Sequence, residues 1–240
     1  MIDLYYDLTP NGRKIHMALE ELGLPYEVHW VVVNQGEQFS EDFVRVNPNA
    51  KIPAIVDRDG PGGEPIRIFE SGAILQYLAE KTGSLLPEDP SQRWEVMCWL
   101  YWQVANQGPA AGNAAHFTQY APDAGIVEPY SQERFVAETR RCCAVLNARL
   151  AETGAPYLVG DELTIADLAC FPWTRVLKAY GVQLSDYPAL AAWSESISAR
   201  PSAKSRVPER PEGSGPPTGL DAEQYQRLFG VALAPTPSAH

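Results

Sequence analysis

The sequence has few residues of the types that bind metals or form disulfides. It contains four cysteines, and none of them belongs to a Cys-x-x-Cys pair. Zinc sites and secreted disulfide frameworks need closer and more regular spacing than this. The cysteines are therefore predicted to be reduced core thiols of a cytoplasmic protein that holds no metal. They are Cys98, Cys142, Cys143 and Cys170.

The sequence also lacks a long hydrophobic run and an excess of basic residues. No stretch approaches the roughly 18 apolar residues that span a bilayer, and the Met1 end does not resemble a secretion signal. The 19 lysines and arginines are outnumbered by 30 acidic residues, and the net charge of −11 disfavours nucleic acids and anionic membranes as partners. Because 45% of the 240 residues are hydrophobic, we expect a globular fold with a large core.

Residues 1–83 alternate between strand and helix patterns. Thr9 and Pro10 open the first helix, as N-cap and first helical residue, and Gly23 ends it. Two strands joined by a helix are parallel, and a hairpin adds an antiparallel pair. We therefore expect a mixed four-stranded sheet in a thioredoxin-like domain. The predicted segments are strands at 2–6, 26–33, 54–56 and 66–69 and helices at 10–22, 40–46 and 74–81, the last capped by Ser71.

The rest of the chain is predicted to be helical. Residues 84–90 have the composition of a linker, and 91–203 have the pattern of an all-helical bundle domain. Residues 204–240 form a Pro/Gly-rich C-terminal extension with one short helix near 221–229. The predicted fold class is thus α/β plus all-α, with the thioredoxin-like domain first.

A local signal marks the start of one helix in the second domain. Thr164 and Asp167 have the spacing of a capping box. Leu163 and Leu168 stand at the two positions of a hydrophobic staple around it. These four residues predict a helix that begins just after Thr164.

The first helix of a thioredoxin-like domain lies where that fold carries its redox chemistry. Its N-terminus presents unpaired N–H groups and a partial positive charge, which stabilise a thiolate placed there. Redox enzymes of this fold have Cys-Pro-x-Cys at that point, whereas this chain has Thr9-Pro10-Asn11-Gly12. Both sulfurs are missing, so any thiol chemistry at this helix must use a thiol that a ligand brings in. Thr9 and Asn11 are the candidate catalytic residues.

Two further segments are suited to hold such a ligand. Lys51-Ile52-Pro53 precedes a strand, where thioredoxin-like folds have a cis-proline, and the Ile52 backbone could then pair with an extended peptide. At the Glu70-Ser71 junction, the Ser71 hydroxyl and helix N–H groups can hold a carboxylate, and Glu70 can hold an ammonium group. A small peptide with a zwitterionic end and a central thiol meets these requirements, and glutathione is such a molecule.

Several motifs resemble those of cytosolic glutathione S-transferases. Thr-Pro-Asn-Gly at 9–12, Asn-Pro-Asn-x-Lys-Ile-Pro-Ala-Ile-Val at 47–56 and Phe-Glu-Ser-Gly-Ala-Ile at 69–74 resemble the glutathione-binding half of that superfamily. More selective motifs make the sequence most similar to the Nu class, whose members are glutathione-dependent disulfide-bond reductases and modest transferases. These motifs are Gly-Glu-Gln-Phe at 36–39, Trp-Gln-Val at 102–104, His-Phe at 116–117 and Gln-Glu-Arg-Phe at 132–135.

The resemblance implies a homodimer with a glutathione site on each subunit and a small electrophile or disulfide as second substrate. Thr9 and Asn11 would contact the sulfur region of glutathione. Arg134 matches an arginine that this class lends across the dimer to the neighbouring site. The residues implied around the peptide are Gln38, Lys51, Ile52, Pro53, Glu70 and Ser71.

Other interpretations stay open at this point. Tyr5 and Tyr6 are rivals to Thr9, because other transferase classes activate the thiol with a tyrosine at the end of the first strand. Taken singly, Gln38 is an ordinary solvated polar residue and Arg134 an ordinary surface residue. The chain could also be a regulatory or interaction module that has lost turnover, or a glutathione-dependent isomerase or ether-cleaving enzyme.

Overall fold

The computed structural model of the chain describes residues 1–207, 209–211 and 220–230. Its N-terminal part contains one four-stranded sheet in the order β2-β1-β3-β4. Strand β1 is parallel to β2 and antiparallel to β3, and β3 is antiparallel to β4. The mixed sheet predicted from the sequence is confirmed. Its strands are β1 Ile2–Tyr6, β2 Tyr26–Trp30, β3 Ala54–Asp57 and β4 Ile66–Phe69.

Three helices accompany this sheet: α1 Pro10–Leu22, α2 Glu41–Val46 and α3 Ser71–Thr82. The predicted ends of α1 are confirmed, since the Thr9 side chain accepts a hydrogen bond from the Gly12 N–H at 3.0 Å and Gly23 adopts the left-handed conformation. The predicted cap of α3 is wrong. Glu70 takes the N-cap place with a φ of 70°, and Ser71 is already the first helical residue.

The second part is helical, as expected. Its first helix begins at Pro90, and the chain stays helical to Asp123 through two π-helical stretches. The predicted late helix is present. The residues after 230 lie outside the described part, and the domain limits 1–83, 84–90, 91–203 and 204–240 stay predictions. The helices are α4 Pro90–Trp102, α5 Gly108–Ala115, α6 Ala121–Asp123, α7 Pro129–Thr153, α8 Ile165–Thr174, α9 Pro188–Ser198, α10 Pro201–Lys204 and α11 Ala222–Phe229.

Helix α1 joins the two parts, because it packs on α3 and on α8. The apolar residues of the sheet, of α1 and of the helical part form one continuous core. The longest described helix, α7, carries many charged residues. Within the described residues, no helix combines the length and hydrophobicity needed to cross a membrane.

The chain after α10 runs back over the N-terminal part. The Arg13 guanidinium donates to the backbone carbonyls of Ser202, Ala203 and Ser205. Arg210 pairs with the buried carboxylate of Asp7 at 2.8 Å. Helix α11 then packs on the short helix Val33–Gln35. The described part of the C-terminal extension therefore holds the β1–α1 connection in place.

The start of α8 depends on one buried carboxylate. Asp167 is fully buried and accepts four hydrogen bonds of 2.9–3.0 Å, from the Leu158 N–H, the Thr164 N–H and hydroxyl, and the Trp193 indole N–H. The predicted capping box is confirmed, and the same side chain also fixes a loop and α9. The capping box predicted from the sequence accounts for the two hydrogen bonds from Thr164, but not for those from Leu158 and Trp193.

We expect Asp167→Ala to lower the free energy of unfolding by about 3–5 kcal/mol, because it leaves several buried donors without an acceptor. Asp167→Asn keeps the side-chain volume and one acceptor oxygen, so it should lose roughly half as much. Urea unfolding followed by tryptophan fluorescence measures both. Equal losses in the two variants would mean that the cavity, and not the hydrogen bonds, dominates.

We also expect Arg210→Ala to lower the free energy of unfolding by about 3 kcal/mol, because it leaves the Asp7 carboxylate buried without its cation. The matched control is Arg206→Ala, since Arg206 is exposed four residues earlier on the same segment. That control should change stability by no more than about 0.5 kcal/mol. Thermal or urea unfolding that does not separate the two variants would refute the role given to this ion pair.

Candidate active site

The strand register brings three distant segments to one edge of the sheet. Tyr5, near the end of β1, lies opposite Ala54, the first residue of β3. Ala54 also lies opposite Phe69, the last residue of β4. The connections that follow β1 and β4 therefore meet the connection that precedes β3. These three connections carry Thr9 to Asn11, Ile52 and Pro53, and Glu70 and Ser71.

The N-terminus of α1 offers donors at this edge. Thr9 Oγ1 accepts from the Gly12 N–H, so the Thr9 hydroxyl keeps its own hydrogen to donate. Asn11 is half-buried, and its side-chain amide makes no hydrogen bond within the described part of the chain. Gly12 permits the close packing of this turn, because a Cβ there would lie 2.6 Å from the Asp7 carbonyl oxygen.

The segment before β3 presents a free backbone group. The Ile52–Pro53 peptide bond is cis. Lys51 is exposed, and its carbonyl oxygen accepts from the Asn47 side-chain amide at 2.6 Å. In the part of the chain that the structure describes, the Ile52 N–H donates to no other backbone group. This N–H is available to an extended peptide.

The β4–α3 junction presents an acid and a hydroxyl. The Glu70 side chain is exposed and forms no ion pair within residues 1–207, 209–211 and 220–230, and its backbone has a positive φ at the start of α3. Ser71 is buried, and its Oγ accepts a hydrogen bond from Lys14 Nζ at 3.1 Å. Lys14 also donates to Gln103 Oε1 at 2.5 Å, and burial lowers the pKa of Lys14 to about 7.

Sequence reasoning missed Lys14. It lies in α1, and a single lysine in a helical sequence does not indicate a buried side chain. The available signal was the Trp-Gln-Val motif at 102–104, whose central residue is the Gln103 partner of Lys14. In the sequence, that motif indicates only the family resemblance.

Two other predicted residues lie apart from these segments. Gln38 is 5% exposed, so the interpretation of it as a solvated residue is wrong, and its Oε1 has no hydrogen-bond partner among the described residues. Arg134 is exposed on α7, and its ion pair is with Glu138 on the same helix, at 3.6 Å. No hydrogen bond or ion pair in the described structure joins Arg134 to another predicted site residue of its own chain.

The two tyrosines are poorly placed to activate a thiol. Tyr6 is 1% exposed and packs edge-on against Trp30, and burial raises its pKa. Tyr5 faces the opposite side of the sheet, where it stacks on His29 at 5.1 Å, and desolvation raises its pKa too. Both shifts keep the phenols protonated, and a protonated phenol can still donate a hydrogen bond. The burial of Tyr6 and the stacking of Tyr5 on His29 are therefore what separates them from Thr9, and the catalytic roles of Thr9 and Asn11 stay predictions.

A cavity of about 480 Å³ lies beside Thr9. It opens between the N-terminus of α1 and the end of α8, and apolar surface dominates its walls. Arg175 stands in the wall formed by the end of α8. The volume is in the range of small-molecule sites. Its lining includes Tyr6, Leu8, Thr9, Pro10, Phe171 and Arg175.

The chain's own cysteines are not part of this site. Cys142, Cys143 and Cys170 are buried, as predicted, but the prediction of a core thiol is wrong for Cys98, which is exposed on α4. Burial raises the pKa of Cys142 to about 11 and that of Cys143 to about 12. It also raises the pKa of Cys170. Thiols with raised pKa values are weak nucleophiles at neutral pH.

Comparisons with known proteins show the family of this chain. Models of the glutathione S-transferase N-terminal and C-terminal domains match residues 9–81 and 114–201. The disulfide-bond oxidoreductase YfcG of Escherichia coli K12 is 46% identical over 202 residues, covering 84% of this chain and 92% of its own.

Two solved structures are similar throughout the fold. A glutathione transferase from Pseudomonas putida, with one glutathione disulfide bound per subunit, is 39% identical with a TM-score of 0.80 and covers 85% of this chain and 89% of its own. A glutathione transferase family member from Pseudomonas fluorescens Pf-5, with two glutathione molecules bound, is 39% identical with a TM-score of 0.79. The match covers 85% of this chain and 90% of its own. The chain therefore belongs to the glutathione S-transferase family.

Proposed function

We propose that this protein is a glutathione-dependent enzyme that reduces disulfides and transfers glutathione to electrophiles. The single observation that carries the proposal is the register of the sheet, which sets Thr9, Ile52 and Ser71 along one edge. The names of the relatives, which include a disulfide-bond oxidoreductase and glutathione-bound transferases, support the same conclusion.

The unpaired polar groups of the site fit glutathione. The Ile52 N–H is suited to pair with the peptide backbone, as in an added strand. The Ser71 hydroxyl and the N-terminus of α3 are suited to the γ-glutamyl carboxylate, and the Glu70 carboxylate to the γ-glutamyl ammonium. In the proposal Lys51, the neighbour of Ile52, lies at the margin of the same peptide path, and the role of Gln38 depends on the family resemblance alone.

Bound glutathione supplies the thiol that the chain lacks at this helix. The net reduction converts two glutathione molecules and a disulfide into oxidised glutathione and two thiols. The Thr9 hydroxyl donates a hydrogen bond to the thiolate sulfur, and the Asn11 amide is a second hydrogen-bond donor. The N-terminus of α1 adds about 0.3–2 kcal/mol of stabilisation for the thiolate. The cavity beside Thr9 provides room for the disulfide or electrophile.

We propose further that the protein is a homodimer. The exposed face of α4 and its continuation carries an apolar stripe at helical spacing, formed by Trp94, Cys98, Tyr101 and Ala105. Trp94 is 68% and Tyr101 is 59% exposed. Apolar surface of this kind is typical of a protein interface. Arg134 then acts on the site of the partner subunit.

The substrate proposal is tested by two assays with the same enzyme. We expect glutathione-dependent reduction of a small disulfide such as 2-hydroxyethyl disulfide, followed by coupled NADPH oxidation. We expect slower conjugation of an aromatic halide, followed by absorbance of the product. Rates equal to the uncatalysed background in both assays would support the regulatory alternative.

The roles at α1 are tested by substitution. We expect Asn11→Ala to lower kcat/KM by about tenfold to a hundredfold, because it removes a hydrogen bond to a charged sulfur. Tyr5→Phe and Tyr6→Phe are the controls and should retain activity within about threefold. Stopped-flow measurement of the disulfide reduction compares the three. The reverse ranking would assign thiol activation to a tyrosine.

The role of Arg134 is tested by mixing two weakened homodimers. Arg134→Ala and Asn11→Ala each disable both sites of a homodimer in the proposal. After subunit exchange, a heterodimer has one site with an intact Asn11 and an intact Arg134 from the partner. Activity should therefore recover on mixing. No recovery, with subunit exchange verified by mass spectrometry, would place Arg134 outside the partner's site.

A further inference from the structure

Lys14 has no part in the mechanism proposed above. It lies on α1 one turn beyond Asn11, and its side chain is 1% exposed. Its ammonium nitrogen donates to Ser71 Oγ at 3.1 Å and to Gln103 Oε1 at 2.5 Å. Lysines are almost never fully buried, because the ammonium group loses its hydration. A buried lysine beneath a ligand-facing serine therefore calls for a function.

Three elements meet at this lysine. Lys14 comes from α1, Ser71 from the start of α3, and Gln103 from the π-helical stretch after α4. The next residue, Val104, packs on Gly72, where an added Cβ would lie 3.0 Å from the Val104 side chain. The helical part of the protein thus touches the ligand-facing end of α3 through the Trp-Gln-Val motif.

We propose that Lys14 is a positioning residue that turns the Ser71 hydroxyl hydrogen toward the carboxylate of the bound peptide. The inference rests on the proposed function, in which Ser71 holds that carboxylate. An ammonium group only donates, so Ser71 Oγ must accept from Lys14. The hydroxyl hydrogen then has to point elsewhere, and the open side of Ser71 is the ligand side. The buried charge adds direct attraction for the carboxylate.

The protonation of Lys14 therefore sets the strength of binding. Burial lowers its pKa to about 7. At the N-cap of α3, the Glu70 carboxylate favours the charged form of Lys14. On α8, Lys14 faces the Cys170 thiol, whose own pKa is raised by burial. Gln103 is neutral. A neutral Lys14 amine would accept from Ser71 instead, which withdraws the donor from the ligand.

The protonation of Lys14 determines how the affinity for the peptide changes with pH. A bound carboxylate stabilises the ammonium form and so raises the pKa of Lys14. Affinity is highest below the pKa of the free protein, near 7, and falls as the pH rises above it. The effect concerns binding and not the attacking thiolate, so it acts on KM more than on kcat.

The test is calorimetric titration with S-methylglutathione, which has no titrating thiol, from about pH 6 to about pH 8.5. The proteins are the full-length chain, Lys14→Met and, as control, Lys178→Met at an exposed lysine. We expect Lys14→Met to bind S-methylglutathione about tenfold more weakly than the unmodified chain at the lowest pH of this range. Its affinity should change little with pH, whereas the unmodified chain and the control lose affinity as the pH rises.

A second variant tests the charge without removing the lysine. Gln103→Glu keeps the side-chain volume and sets a carboxylate against Lys14, which raises the lysine pKa. The pH at which affinity falls should move up by about one unit or more. A purely structural role for Lys14 would leave that pH unchanged.

The outcomes separate the two proposals. No binding of S-methylglutathione by the unmodified chain would overturn the proposed function. Normal binding by the unmodified chain, with Lys14→Met equal to it in affinity and pH dependence, would overturn the role of Lys14 alone. If Lys14→Met shows no cooperative thermal unfolding, Gln103→Glu decides, and an unshifted pH profile overturns the inference.

Discussion

The position of β3 between β1 and β4 is the constraint on which the rest of the site depends. Both pairings are antiparallel, so the start of β3 lies beside the ends of its two neighbours. Had β3 run parallel to β1, Pro53 would lie at the opposite edge of the sheet. Instead, segments some forty and sixty residues from Thr9 stand next to it, held by backbone hydrogen bonds. A site built on such a frame needs little ordering when a ligand arrives.

Helix α1 contributes to the site at two places along its length. Its N-terminus lies at the sheet edge, where Thr9 and Asn11 donate to the ligand in the proposed function. One turn later its buried face contacts α3 and α8 through Lys14, which is joined to Gln103 of the helical part. In the proposed function, the helix that stabilises a thiolate is therefore also the helix that links the helical part to the carboxylate end of the ligand. A shift of α1 would disturb both ends of the site at once.

Local signals account for what could be predicted from the sequence. The limits of α1 and the capping box at Thr164 are each specified within four residues, and both are confirmed. The assignment of Ser71 as a cap is wrong because Glu70 takes the N-cap position with a positive φ, which no local preference of glutamate indicates. The burial of Lys14 could not be predicted, because it depends on two partners, Ser71 and Gln103, that are far away in the sequence. The ligand roles of the site residues stay predictions.

The acidic surface makes the short-range donors more important. Glutathione has more carboxylates than ammonium groups, so a chain of net charge −11 does not attract it at long range. At physiological ionic strength that repulsion is screened beyond about 8 Å. In the proposed function, recognition then falls to groups in direct contact, of which Asn11, the Ile52 N–H and Ser71 are neutral. Lys14 lies behind Ser71 and shielded from solvent, so its charge is weakened least by salt. A single buried cation next to the site can therefore attract a carboxylate although the net charge of the chain is negative.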